Sequence, residues 1–151
     1  MESLSDTLKR QAHELSACHK AMRNWPENGE PQALVELWKN NIDFALEKDF
    51  PTLEFIKANF DRDLLNRNLI FVDEYLDFDL MPSGVYIING DCSGRIRFAP
   101  WSAVTVYVRH SSKVRIEAGA FAKVFVRVYN EADVEVDSDE SAVVKVYDRR
   151  K

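Results

Sequence analysis

Three things that would assign a protein of this size to a class are missing. Cysteine pairs are the first: Cys18 and Cys92 are the only two cysteines, without CxxC spacing, and two reduced thiols are expected. The second is an apolar run long enough to cross a bilayer. The opening MESLSDTLKRQAHELSACHK interleaves charged and apolar residues, so no membrane association and a cytoplasmic location are expected. The third is a surplus of positive charge. A net charge of -5 argues against coating nucleic acid by bulk electrostatics and leaves room only for a local basic stripe. What is present, 46% hydrophobic and 30% charged residues over 151, suits one ordinary domain or a helical unit fused to a β unit sharing one core.

The N-terminal part has helical period. Leu4, Leu8, Ala12, Leu15, Cys18 and Met22 recur at spacings of three and four within residues 3–24, with Lys9, Arg10, Glu14 and Lys20 opposite. Ser3 can cap this helix, and Asp6 suits its positive end. Trp25 to Glu30 breaks it. Pro31 fits the first turn of a second helix through Leu34, Leu37, Trp38, Ile42, Ala45 and Leu46, interrupted at Asn40-Asn41. Pro51 opens a third with Leu53, Ile56 and Phe60, and a last turn holds Leu64 and Leu65. The chemistry turns to β at Leu69 to Val72. Asp73 to Ser83 is acidic and aromatic, Pro82-Ser83-Gly84 makes a turn, and Val85 to Ile88 is a short buried strand.

From Ser93 the chain repeats every ten residues: SGRIRFAPWS, AVTVYVRHSS, KVRIEAGAFA, KVFVRVYNEA, DVEVDSDESA, VVKVYDRRK. The second and fourth columns are almost wholly Val or Ile, which suits strands packing one face inward, and the tenth column is always small. Either an antiparallel β-meander or a parallel solenoid with two ten-residue strands per coil can use such a pattern. At a period of twenty the outward residues segregate. One sheet would stack Thr105, Phe125 and Lys145; Tyr107, Arg127 and Tyr147; Arg109, Tyr129 and Arg149. The other would stack Lys113 on Asp133; Arg95, Arg115 and Glu135; Arg97, Glu117 and Asp137. The opposite-charge pairs and the absence of Asn-Gly or Asp-Gly hairpin turns favour the parallel coil.

The expected fold is therefore α+β: a helical cap subdomain over 1–68, transition strands over 69–92 and a short parallel β-solenoid over 93–151, the meander being the alternative. A solenoid needs caps. The helices and the strands near 69–90 are expected at one end, and the charged Asp148 to Lys151 at the other, discouraging edge-to-edge growth.

No residue set calls for catalysis, a metal or a cofactor. His13 and His19, six apart, do not share a helix face as a metal pair. His110 beside Ser111 and Ser112 lacks the separate orienting acid of a triad. Asp133, Glu135 and Asp137 alternate with Val134 and Val136, the pattern of a solvated strand face and not of a calcium loop. Asp61, Asp63, Asp73, Glu74, Asp77 and Asp79 are spread over several elements. The candidate binding residues are the aromatic and basic ladder: Tyr107, Arg109, Phe125, Arg127, Tyr129, Lys145, Tyr147 and Arg149, types that dominate binding hot spots.

The stretches VYVRHSSKVRIEAGAFAKVFVRVYN and VVKVYDRR, with LVELWKNNIDFALEKDFPTLEFIKANFDRDLLNRNLIFVDE before them, resemble small β-repeat proteins of gut Bacteroidetes genomes, their phages and mobile elements. The resemblance carries no catalytic residues. It implies a mobile-element setting, in which small acidic proteins act by binding and obstructing another protein. The expectation is a non-enzymatic interaction module with a protein partner, such as an inhibitor of a host protein. The alternatives are an assembly component that oligomerises through the solenoid, and a nucleic-acid-binding protein using the Tyr/Arg face.

Overall fold

The computed structural model describes residues 3–15, 22, 25, 26 and 29–150, in two compact units, Met1–Leu64 and Leu65–Lys151. Cys18 and His19 lie outside the described residues.

The first unit is helical. α1 (Leu4–Glu14) is capped as its sequence suggests, with the Asp6 N–H donating to Ser3 Oγ at 3.1 Å, and it buries Leu8 and Ala12. Pro31 opens α2 (Pro31–Asn40), and Asn41 separates it from α3 (Ile42–Glu47). Leu34, Val35, Ile42, Ala45 and Leu46 are their buried residues. The next helix, α4 (Leu53–Asn59), starts two residues later than its proline suggests. Thr52 is the cap, its Oγ1 accepting from the Phe55 N–H at 3.2 Å, and Phe60 closes the helix from outside it. α5 (Arg62–Arg67), which buries Leu65, runs across the boundary between the two units.

The second unit is a parallel β-solenoid. Its strands are β1 (Ile70–Val72), β2 (Tyr75–Met81), β3 (Gly84–Asn89), β4 (Ser93–Phe98), β5 (Ala103–Val108), β6 (Lys113–Ala118), β7 (Lys123–Val128), β8 (Asp133–Ser138) and β9 (Val143–Asp148). Odd strands form one sheet in the order β1-β3-β5-β7-β9 and even strands the other, β2-β4-β6-β8, all pairs parallel. The chain thus alternates between sheets and climbs one strand spacing per coil, about 4.8 Å. From β3 onward each residue pairs with the one twenty further on, as Val104 with Val124 and Lys113 with Asp133.

The coil begins earlier than the repeat. The transition strands expected over 69–92 are coil strands themselves: Tyr75–Met81 is paired with β4, and β1 to β3 are full members of the two sheets. Here the partners are seventeen or eighteen residues apart, Ile70 with Ile87 and Tyr75 with Ser93, so a ten-residue cut cannot expose them. Within β2 the register slips between Phe78 and Met81, a bulge that puts one extra residue into β2, so the partners are eighteen residues apart before it and seventeen after it.

Between the sheets lies one apolar core: Leu76, Tyr86, Ile88, Ile96 and Phe98 below, then the valine columns Val104, Val106, Val108, Val114, Ile116, Val124, Val126 and Val128. Each buried Val or Ile is worth roughly 1.5–3 kcal/mol relative to exposure, which is why two β-branched columns suffice to define the interior. Tyr86 places its ring edge-on to Phe98 at 5.0 Å and donates its hydroxyl to the Pro82 carbonyl at 2.6 Å. Among the described residues no buried side-chain polar atom is left without a partner.

Gly94 stands where every later coil has valine. At φ 109° its added Cβ would collide with the Leu76 carbonyl oxygen and lie 2.9 Å from the Leu76 nitrogen. Backbone of the shortened first coil occupies the space that a valine takes above it. Replacing Gly94 with Ala is expected to lower stability by about 2–4 kcal/mol, measured by urea denaturation. Gly119→Ala, which has no positive φ, should cost less.

Candidate functional site

The outward ladder on the odd-strand sheet has the stacking that the twenty-residue period requires. Thr105, Phe125 and Lys145 are successive partners, as are Tyr107, Arg127 and Tyr147. Arg127 is held between two rings, its guanidinium carbon 5.5 Å from the Tyr107 centroid and 5.3 Å from that of Tyr147. Such contacts contribute roughly 0.5–1 kcal/mol each at exposed sites. Tyr107 also stacks on Tyr129 at 6.5 Å.

The eight residues do not share one exposure. Tyr107, Arg109 and Tyr129 are buried, so they order the face instead of presenting it. Arg109 is fully buried, and its Nε donates to Asn89 Oδ1 at 2.8 Å while the Asn89 amide donates to the Phe71 carbonyl at 3.1 Å. Phe125 and Arg127 are half-buried, and Lys145, Tyr147 and Arg149 are exposed. The presented surface is therefore the last two strands of this sheet. Asp148 accepts from the Arg150 guanidinium at 2.9 Å, which holds its carboxyl down to about 2.

The even-strand sheet carries balanced charge. Arg95 reaches Asp77 and Glu117, each at 3.2 Å, and Arg115 reaches Asp137 at 2.9 Å and Glu135 at 3.9 Å. Arg95 sits directly below Arg115, but each guanidinium leans diagonally to an acid, which removes the like-charge conflict of the direct stack. The acids Asp133, Glu135 and Asp137 are strand residues of this face, and among the described residues no group of three His, Cys, Asp or Glu could hold a metal ion. No helix among them is long and apolar enough to cross a membrane.

His110 belongs to a corner ladder. Gly90, His110 and Asn130 stack at twenty-residue intervals in left-handed conformation. The Gly90 N–H donates to His110 Nδ1 at 2.9 Å, and the His110 N–H donates to Asn130 Oδ1 at 3.0 Å. Ser112 is buried and donates to the Gly90 carbonyl at 2.9 Å while accepting from the Cys92 N–H at 3.1 Å. These bonds use the imidazole and the hydroxyl to close corners. Burial pushes the Cys92 thiol up, away from the reactive thiolate.

Comparison of the chain with protein-family models, with curated proteins and with solved structures finds no match. The geometry therefore has to speak for itself.

One pair on the surface was hidden from the sequence. Trp101 and Phe121 stack at 4.3 Å with planes 17° apart, and they are 73% and 50% exposed. Both are left-handed, with φ 66° and 58°, a conformation that glycine or asparagine adopts more cheaply. Their signal was the ninth column of the repeat, where they lie twenty apart; its apolar entries are lost among Ser111, Glu131 and Ser141. Phe121→Gly should relieve about 1 kcal/mol of backbone cost and lose a comparable ring contact. A change in stability within about 1 kcal/mol is expected by thermal denaturation, and a larger loss would mean that the ring is kept for folding.

Proposed function

We propose that this protein is a non-enzymatic interaction module that captures a partner protein on the exposed half of its tyrosine-arginine ladder. The observation that carries this reading is Arg127 clamped between the rings of Tyr107 and Tyr147, beside exposed Lys145 and Arg149. An arginine immobilised before binding loses little entropy on contact, and aromatic and guanidinium groups supply most of the energy at hot spots. The chemistry fits an acidic patch on the partner, because the face is locally basic on a chain of net charge -5. The Trp101–Phe121 pair offers a second exposed aromatic patch at another corner.

The resemblance to β-repeat proteins of Bacteroidetes phages and mobile elements extends the reading to a host protein that is bound and obstructed. Single-stranded nucleic acid is the competing ligand, since alternating rings and cations also suit stacked bases, and the acidic whole opposes it.

A pull-down from a Bacteroidetes host lysate with wild type and with Arg127→Ala/Tyr147→Ala separates these readings. The double variant should keep its fold by circular dichroism and weaken capture about thirtyfold or more. Recovery of the same proteins by both forms would remove the ladder as the binding face. Capture lost on nuclease treatment would assign the face to nucleic acid.

A further inference from the structure

Two strand edges are free at the C-terminal end of the coil. Among the described residues β8 pairs only with β6 and β9 only with β7, and the Val134 N–H on the β8 edge is held locally by Asp133 Oδ1 at 3.0 Å. Their inward residues continue the core columns, yet Val136 is 41% and Val146 is 49% exposed, with Val134 and Val144 half-buried. Arg150 covers one corner by donating to the Ala132 carbonyl at 3.3 Å, and leaves both edges open. Unpaired backbone beside exposed valine is the surface on which strands add.

The outward residues say what can add. β8 carries Asp133, Glu135 and Asp137, and β9 carries Lys145 and Tyr147 with Arg149 beyond. The two edges are therefore opposite in charge. Successive strands of a two-strand coil run in opposite directions, so a second copy turned end to end about a two-fold axis always meets this end antiparallel. Two seatings exist. With the axis normal to the sheets, β8 meets β8 and β9 meets β9, acid on acid and base on base. With the axis along the strands, β8 of each copy meets β9 of the other.

We infer that a second copy of this chain caps the C-terminal end in the second seating, β8 of each pairing antiparallel with β9 of the other. In the register that sets Val134 against Val146 and Val136 against Val144, Glu135 falls opposite Lys145, and Asp133 lies diagonal to Arg149. Both core columns then continue across the junction. The contact is isologous and uses both edges of each copy, so assembly stops at two. The inference rests on the free edges; Lys145 belongs to both the junction and the proposed partner face, whereas Glu135 lies outside that face.

Sedimentation equilibrium tests it on the full chain, with circular dichroism to show that each variant folds. The end of a two-strand coil is smaller than a standard interface, so a dimer populated at roughly tens of micromolar is expected. Glu135→Lys and Lys145→Glu should each weaken it about tenfold, because the two-fold repeats every contact. Combined in one chain, they should restore the wild-type constant within about threefold. A monomer at every concentration, a mass that grows beyond two copies, or a double variant as weak as the singles would overturn the inference. Glu135→Lys, which lies off the partner face, should leave partner capture through Arg127 unchanged, so the two readings fail separately.

Discussion

The structure depends on parallel hydrogen bonding between strands that the chain visits once per coil. A backbone group buried between two coils has no water to turn to, so every strand must find its partner one coil away. That requirement makes the coil length a strict quantity. A residue inserted in one strand would rotate every later side chain of that strand to the opposite face. The corners obey the same constraint. Gly90, His110 and Asn130 take the left-handed turn together, and each passes a hydrogen bond to the next, so backbone pairing continues around the bend. Small residues at Cys92, Ser112 and Ala132 let those corners close without a gap.

Because the coils stack in register, identical positions become neighbours, and surface chemistry is built from columns. Arg127 is ordered by the tyrosines below and above it, and Arg115 by acids of the next coil. A side chain on such a surface needs no loop to position it. The same logic makes the ends different from the middle. Val106 and Val126, fully buried in β5 and β7, have an exposed counterpart in Val146 of β9, although the residue type is unchanged. Exposure at this end follows from position in the stack and not from composition.

The regular coils were legible because their period is constant. Val104 to Val146 fall into two columns at a glance, and doubling the period sorts their outward neighbours into a charged sheet and an aromatic one. Tyr75–Met81 was not legible as part of the coil, since its partners lie seventeen or eighteen residues on and a ten-residue period does not reach them. The proline rule located α4 to within two residues, and the start is set by Thr52, whose side-chain oxygen caps the helix. The ladder's order was readable and its exposure was not. Stacking depends on spacing within the sequence, whereas the burial of Tyr107, Arg109 and Tyr129 depends on the folded packing around each side chain. Trp101 and Phe121 show the reverse case, in which the structure leaves two large rings in water that hydropathy alone would place inside.

If each coil is held chiefly by the one beneath it, stability must fall toward the open end. Amide hydrogen exchange followed by NMR at low micromolar concentration reads this strand by strand. Amides of β5, β6 and β7 should exchange only through global unfolding, while those of β8 and β9 should exchange faster by about tenfold or more through local opening. Uniform protection from β3 to β9, or weakest protection in β5 and β6, would contradict a solenoid stacked at a period of twenty with its last coil uncovered.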